Sequence, residues 1–199
     1  MTRIKICGLF RPEDILAVNE AKPDYIGFVF APSHRQVTLE QSAGLRQHLS
    51  QQITTVGVFR NANPEFIYKA SDRGIIDMVQ LHGSEDEAYL QNIRKYTGRP
   101  VIKAISVICP EDIQRWQGSA ANYLLFDNGA GGTGQSFDWS LIGNNLKPFF
   151  LAGGLNAENI RHAVNQVQPF AVDVSSGVET GGMKDAQKIQ TIVRRIRNE

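Results

Sequence analysis

Apolar residues in this chain recur in short runs separated by longer amphipathic stretches, and the period switches between two and 3.6 as one gives way to the other. The first run, Arg3-Ile4-Lys5-Ile6-Cys7, alternates charged or polar with β-branched side chains and stops at Gly8, which predicts a strand. Pro12, Glu13 and Asp14 then suit the first turn of a helix reaching about Ala21. Tyr25 to Phe30 is nearly continuous in apolar residues, the pattern of a strand buried on both faces. Further strands are predicted over 54–59, 76–81, 101–105, 122–126, 148–152 and 170–173. Helices are predicted from a Thr38 cap, from Asn63-Pro64-Glu65 to about Arg73, and from the acidic Ser84-Glu85-Asp86-Glu87 to about Tyr96. Others follow from Cys109-Pro110, from Asp138-Trp139, over 156–164 and over 185–197.

Eight strands alternating with about eight helices imply a parallel sheet with right-handed crossovers, and eight such units make one α/β barrel of the (β/α)8 TIM type. No break in composition marks a linker, so residues 1–199 read as a single barrel domain with short loops. A doubly wound open sheet is the other architecture the alternation allows, but no Gly-x-Gly-x-x-Gly follows the first strand.

Composition narrows the partners. The chain has 199 residues, 42% hydrophobic and 21% charged, which is enough to bury a proper core, and its formal net charge of +1 advertises no basic face for nucleic acid. The basic run Arg194-Arg195-Ile196-Arg197 reads as the last turn of a helix, where cations oppose the dipole. Two cysteines, Cys7 and Cys109, form no disulfide framework and no metal-ligand spacing, which fits a reducing compartment. The first strand begins within three residues of Met1 and no apolar run approaches a membrane span, so a soluble, cytoplasmic protein without membrane contact is expected. Nothing marks a large exposed apolar patch, and a monomer is expected.

In a parallel barrel every strand ends at the same rim, so Cys7, Arg35, His82, Asp127, Gly153-Gly154 and Ser176-Gly177 would converge on one mouth. Cys7 can act there as base or nucleophile, since a thiol near its ordinary value of about 8.5 needs only a modest downward shift, or it can be a buried structural thiol. Arg35 is a candidate anion ligand or a surface arginine. The glycines after strands seven and eight stand at the usual phosphate position of barrels, where backbone N–H groups cradle an anion, or they form a tight turn. A small phosphorylated substrate is expected. Gly131-Gly132-Thr133-Gly134 lacks a following Lys-Ser or Lys-Thr, so it suits a lid beside Asp127 better than a nucleotide loop. Asp127 and His82 each have a plainer reading as loop-ordering groups. Cys7 and Asp127, on strands one and six, would face each other as an acid–base pair of the kind an isomerisation of a sugar phosphate needs.

With these residues assembled, the chain resembles the phosphoribosylanthranilate isomerases of tryptophan biosynthesis. The resemblance runs through Lys5-Ile6-Cys7-Gly8, Gly27-Phe28-Val29-Phe30 with Ser33 and Arg35, Gln80-Leu81-His82-Gly83, Asp127 with Gly131 to Gly134, Leu151 to Leu155, and Asp173 to Glu179 with Gly182, Lys184 and Asp185. It implies an Amadori rearrangement of N-(5-phosphoribosyl)anthranilate without metal or organic cofactor. By position, Asp127 would be the general acid at the ribose ring oxygen and Cys7 the general base at C2. Arg35 would pair with the anthranilate carboxylate, His82 would position, and Gly153, Gly154, Ser176 and Gly177 would hold the phosphate. Phe10 and Asn128 depart from the family pattern at the rim.

Two other barrel activities fit these residues less well. An indoleglycerol-phosphate synthase would need a lysine acid at a strand end, whereas Lys103 lies inside strand five; a pentose-phosphate epimerase would need a metal-ligand set that the four histidines do not form. A non-catalytic phosphosugar-binding module is the remaining class.

Overall fold

The computed structural model describes residues 1–128, 138–143 and 147–197. Eight parallel strands close into a barrel in chain order: β1 (Arg3–Cys7), β2 (Tyr25–Val29), β3 (Thr54–Phe59), β4 (Met78–Leu81), β5 (Val101–Ser106), β6 (Tyr123–Asp127), β7 (Phe149–Leu151) and β8 (Ala171–Val174). The seam is closed by β1 on β8, with Lys5 opposite Asp173 and Ile6 opposite Val174. Around the barrel lie α1 (Pro12–Ala21), α2 (Leu39–Gln47), α3 (Pro64–Asp72), α4 (Glu87–Thr97), α5 (Pro110–Gln114), α6 (Ile160–Val167) and α7 (Ala186–Arg197). The (β/α)8 expectation therefore holds.

Alternation along each strand divides the core in two. One set of strand residues, including Ile4, Ile6, Ile26, Phe28, Val79, Leu124 and Phe126, packs outward under the helices. The other set, Tyr25, Val56, Met78, Ile102, Leu125, Phe150 and Ala171, fills the lumen. Each fully buried Ile or Phe contributes roughly 1.5–3 kcal/mol, so both layers matter to stability. The ring of Phe150 meets Tyr25 edge-on at 5.5 Å and Tyr123 at 5.7 Å, and these aromatics plug the lumen at its N-terminal end. The C-terminal end is left for polar groups.

Several elements differ from the sequence expectation for local reasons. Asp138 does cap a helix, accepting from the Ser140 amide at 2.9 Å, but the segment is a single 3₁₀ stretch, Trp139–Ile142. Residues 156–159 form a turn before α6, because Asn156 Oδ1 accepts from the Glu158 and Asn159 amides at 2.8 and 3.2 Å and holds the chain off the helix. The α4 cap is Asp86, which accepts from the Tyr89 amide at 2.8 Å; Glu85 instead turns inward to Lys103. A short hairpin after β8, β9 (Glu179–Thr180) and β10 (Met183–Lys184), was not expected. Gly181 and Gly182, at φ 59° and 78°, supply the two left-handed positions its two-residue turn requires.

Candidate active site

The C-terminal mouth holds a cavity of about 550 Å³ lined by Cys7, Arg35, His82, Asp127, Gly153, Gly154 and Ser176 among others. Seven of the eight residues expected at one mouth are thus brought together there. Gly177 stands just behind, packed on the loop after β7: a Cβ at this position would lie 2.0 Å from the Leu155 carbonyl oxygen. The two glycine loops are therefore in direct contact, and only a residue without a side chain fits between them. Gly153 and Gly154 take φ of 85° and 63°, conformations that favour glycine as the chain leaves β7. The proposed lid over 131–134 lies outside the described residues.

Strand parity puts Cys7 at the lumen. It ends β1 on the same face as Lys5 and is 8% exposed, open to the cavity but largely desolvated. Burial pushes its thiol above the ordinary range, outweighing the pull of the nearby Lys5 ammonium. This reverses the downward shift that a free thiolate near neutral pH would need.

Asp127 sits three strands away around the ring, at the end of β6. Its Oδ1 accepts from the Asn128 amide at 2.8 Å and its Oδ2 lies 3.6 Å from His82 Nε2. Burial works against its charge, but the neighbouring His82 ring and the Asn128 amide hold its carboxyl below the usual range. His82 Nδ1 in turn meets Gln80 Nε2 at 2.9 Å.

Arg35 reaches the cavity but its guanidinium is already engaged. Nε and Nη2 donate to the two oxygens of Glu179 at 2.7 and 2.8 Å, a bidentate fork; Nη1 takes no part in that pair. Glu179 also receives Lys184, whose ammonium donates to the Ser175 carbonyl at 3.0 Å. Burial lowers the Lys184 ammonium below the lysine range despite that carboxylate.

Five residues without an assigned role from sequence therefore belong to the site: Lys5, Gln80, Asp173, Glu179 and Lys184. Lys5, fully buried, donates to Gln80 Oε1 and to Asp173 Oδ2, both at 2.8 Å. The sequence does show a lysine, a glutamine and an aspartate interrupting otherwise apolar strands, but alternation alone does not say that these positions face the lumen. Lys103 faces the other way. It pairs with Glu85 at 2.8 Å outside the cavity, so no lysine acid of the synthase kind stands at the end of β5. Among the described residues no group of three or more His, Cys, Asp or Glu side chains could hold a metal, and no helix is long and apolar enough to cross a membrane.

Comparison with known proteins agrees with this geometry. Residues 4–195 match the family model described as N-(5'-phosphoribosyl)anthranilate (PRA) isomerase. An N-(5'-phosphoribosyl)anthranilate isomerase from Clostridium kluyveri is 44% identical over 200 residues, covering 100% of this chain and 99% of that one. A phosphoribosyl anthranilate isomerase solved in complex with reduced 1-(o-carboxyphenylamino)-1-deoxyribulose 5-phosphate superposes with a TM-score of 0.89 at 36% identity, each chain covered in full. Monomers generated from the dimeric enzyme of Thermotoga maritima superpose equally well, with a TM-score of 0.89 at 37% identity and full coverage of both chains. A closed eight-strand barrel, one polar mouth carrying a thiol opposite a carboxylate, and full-length similarity at these levels place the chain in the N-(5'-phosphoribosyl)anthranilate isomerase family, enzymes of tryptophan biosynthesis.

Proposed function

We propose that this enzyme carries out the Amadori rearrangement of N-(5-phosphoribosyl)anthranilate with Asp127 as general acid and Cys7 as general base. The observation that supports it is their placement: both line one cavity, three strands apart in the ring. Asp127 donates a proton to the ribose ring oxygen as the C1–O bond breaks, and the aniline nitrogen's lone pair forms the iminium. The iminium acidifies C2–H, and the Cys7 thiolate takes that proton to leave the enolamine. Tautomerisation, with loss of the C2 hydroxyl proton and protonation at C1, gives 1-(2-carboxyphenylamino)-1-deoxyribulose 5-phosphate. The sulfur is then protonated and the carboxylate charged, so one proton must return between them before the next cycle.

Arg35, fixed by Glu179, offers its remaining Nη1 edge to the anthranilate carboxylate. His82 positions Asp127. The loops carrying Gly153-Gly154 and Ser176-Gly177 receive the phosphate, where backbone amides bind an anion without a charged side chain. The test is loss of anthranilate-type fluorescence on mixing with freshly generated substrate. Conversion by the native protein, abolished in folded Cys7→Ala and Asp127→Asn variants, supports the assignment. Either variant retaining full turnover removes that residue from its role.

A further inference from the structure

Lys5 has no part in the acid–base scheme, yet it is a charged side chain with no solvent exposure at all. A lone buried ammonium is costly, so its partners account for its presence. Two are at 2.8 Å, Asp173 Oδ2 on the neighbouring strand and Gln80 Oε1 across the lumen. Its third neighbour is Cys7, two residues along the same strand face, whose sulfur gains the nearby ammonium as a counter-charge when it ionises. Gly27 on β2 makes this approach feasible: a Cβ there would lie 2.7 Å from Cys7 Sγ and 3.3 Å from Lys5 Cε.

The other side of the ammonium determines something further. Lysine can only donate, so Gln80 must turn its carbonyl oxygen to Lys5 and its amide nitrogen to His82. His82 Nδ1 is then an acceptor, and the ring proton lies on Nε2, the nitrogen 3.6 Å from Asp127 Oδ2. One buried cation thus fixes the partner of the base and the tautomer of the histidine beside the acid.

We propose that Lys5 is a positioning residue for both halves of the reaction, supplying the counter-charge for the Cys7 thiolate and orienting, through Gln80, the His82 N–H that faces Asp127. The proposal rests on the reading of Cys7 as the base. Other charged groups near the sulfur are Asp173, which opposes the thiolate, and Lys184 and Arg35, which favour it but are held by Glu179. Asp173 therefore divides the Lys5 charge with Cys7, and the two residues should shift the thiol in opposite directions.

The experiment follows thiolate absorbance against pH in the folded, substrate-free protein carrying Cys109→Ser, so that Cys7 is the thiol observed. Lys5→Met is expected to move the Cys7 ionisation up by about one pH unit or more, a roughly tenfold loss of thiolate at fixed pH. The basic limb of kcat/KM should move up with it, and kcat should fall at least about tenfold with KM little changed. Asp173→Asn, which keeps an oxygen for Lys5, is expected to move the ionisation down. If Lys5→Met does not fold, Asp173→Asn carries the test alone. An unmoved Cys7 ionisation in whichever of these variants folds overturns the proposal. Full turnover by Cys7→Ala overturns it together with the base assignment, and is distinguished by being independent of any titration.

Discussion

Titration of the unliganded enzyme should find the proton on the wrong partner for catalysis. Burial holds the Cys7 thiol above its ordinary range, and Asp127, despite burial, is held below its own by His82 and the Asn128 amide. Across neutral pH the resting site is thus thiol plus carboxylate, whereas ring opening needs carboxylic acid plus thiolate. Ordinary values of about 8.5 and about 3.9 already make that exchange cost about 6 kcal/mol, and both shifts widen the gap. Substrate has to supply the difference, by excluding water and by developing the iminium, a cation that favours the thiolate facing it. The form with one proton shared between the pair binds productively, and kcat/KM follows its population. Falling pH protonates Asp127 while the sulfur is already protonated, so no thiolate can form. Rising pH removes the thiol proton while Asp127 is already charged, so no acid remains. The acid limb therefore belongs to Asp127 and lies below about 3.9, and the basic limb belongs to Cys7 and lies above about 8.5, the reverse of their chemical roles. The assay is the fluorescence decrease as a function of pH, beside the thiolate absorbance of Cys109→Ser protein shown to be folded at each pH. Thiolate appearing on the acid limb, or kcat/KM that climbs through neutral pH with no plateau, would refute the reasoning.

Three further outcomes follow from the geometry. Gly177→Ala puts a methyl 2.0 Å from the Leu155 carbonyl oxygen, so the two glycine loops must part by more than about 1 Å; kcat/KM should fall by about 10²-fold, mostly through KM, with little change in the pH profile. Glu179→Gln leaves Arg35 and Lys184 without their carboxylate, and KM should rise by roughly tenfold, about 1.4 kcal/mol, more than kcat falls; an unchanged KM would separate Arg35 from substrate binding. Lys103→Met strands the buried Glu85 and should cost about 3–5 kcal/mol in urea unfolding while the folded fraction stays active. Glu85 is held low by Lys103 and two backbone amides against its burial, so this stabilisation is present above about pH 4.3 and is lost as pH falls through its depressed native value.

The barrel was legible because each strand is a separate apolar run with its own stop signal. Element ends were less so. Asn156 holds backbone amides that would otherwise start α6 earlier, and at α4 the cap falls to Asp86 because Lys103, distant in sequence, draws Glu85 inward. At the site, strand-end residues could be named from position alone, since Cys7, Asp127 and Gly153-Gly154 each sit where a run stops. Lys5 and Asp173 could not, because they lie within strands and alternation by itself does not say which face is inside. In β1 the apolar Ile4 and Ile6 face the helices and the charged or polar Lys5 and Cys7 face the lumen, the opposite of an apolar-in expectation. The hairpin that delivers Glu179 and Lys184 did carry a signal, Gly181-Gly182 between two residues that pair, but two-residue strands are too short for periodicity to register.

The layering of the lumen explains why these buried charges are arranged as they are. Below, the aromatic rings of Tyr25, Tyr123 and Phe150 pack against one another across the lumen, and the buried polar groups above them are paired within the protein. Asp173 answers Lys5, and Glu179 alone answers both Lys184 and Arg35, so three cations share two carboxylates and the layer carries one positive charge in surplus while Cys7 is a thiol. In the proposed reading the phosphate goes to the backbone of the β7 and β8 loops, whose spacing is fixed by the contact between Gly177 and Leu155. The sulfur, for its part, draws on a Lys5 charge already shared with Asp173. A thiol with a full, unshared ammonium would ionise more readily and be a weaker base; one with none would rarely ionise at all. Under the proposed assignment the shared lysine would set Cys7 between those limits, as suits a base that takes a proton from carbon and then releases it.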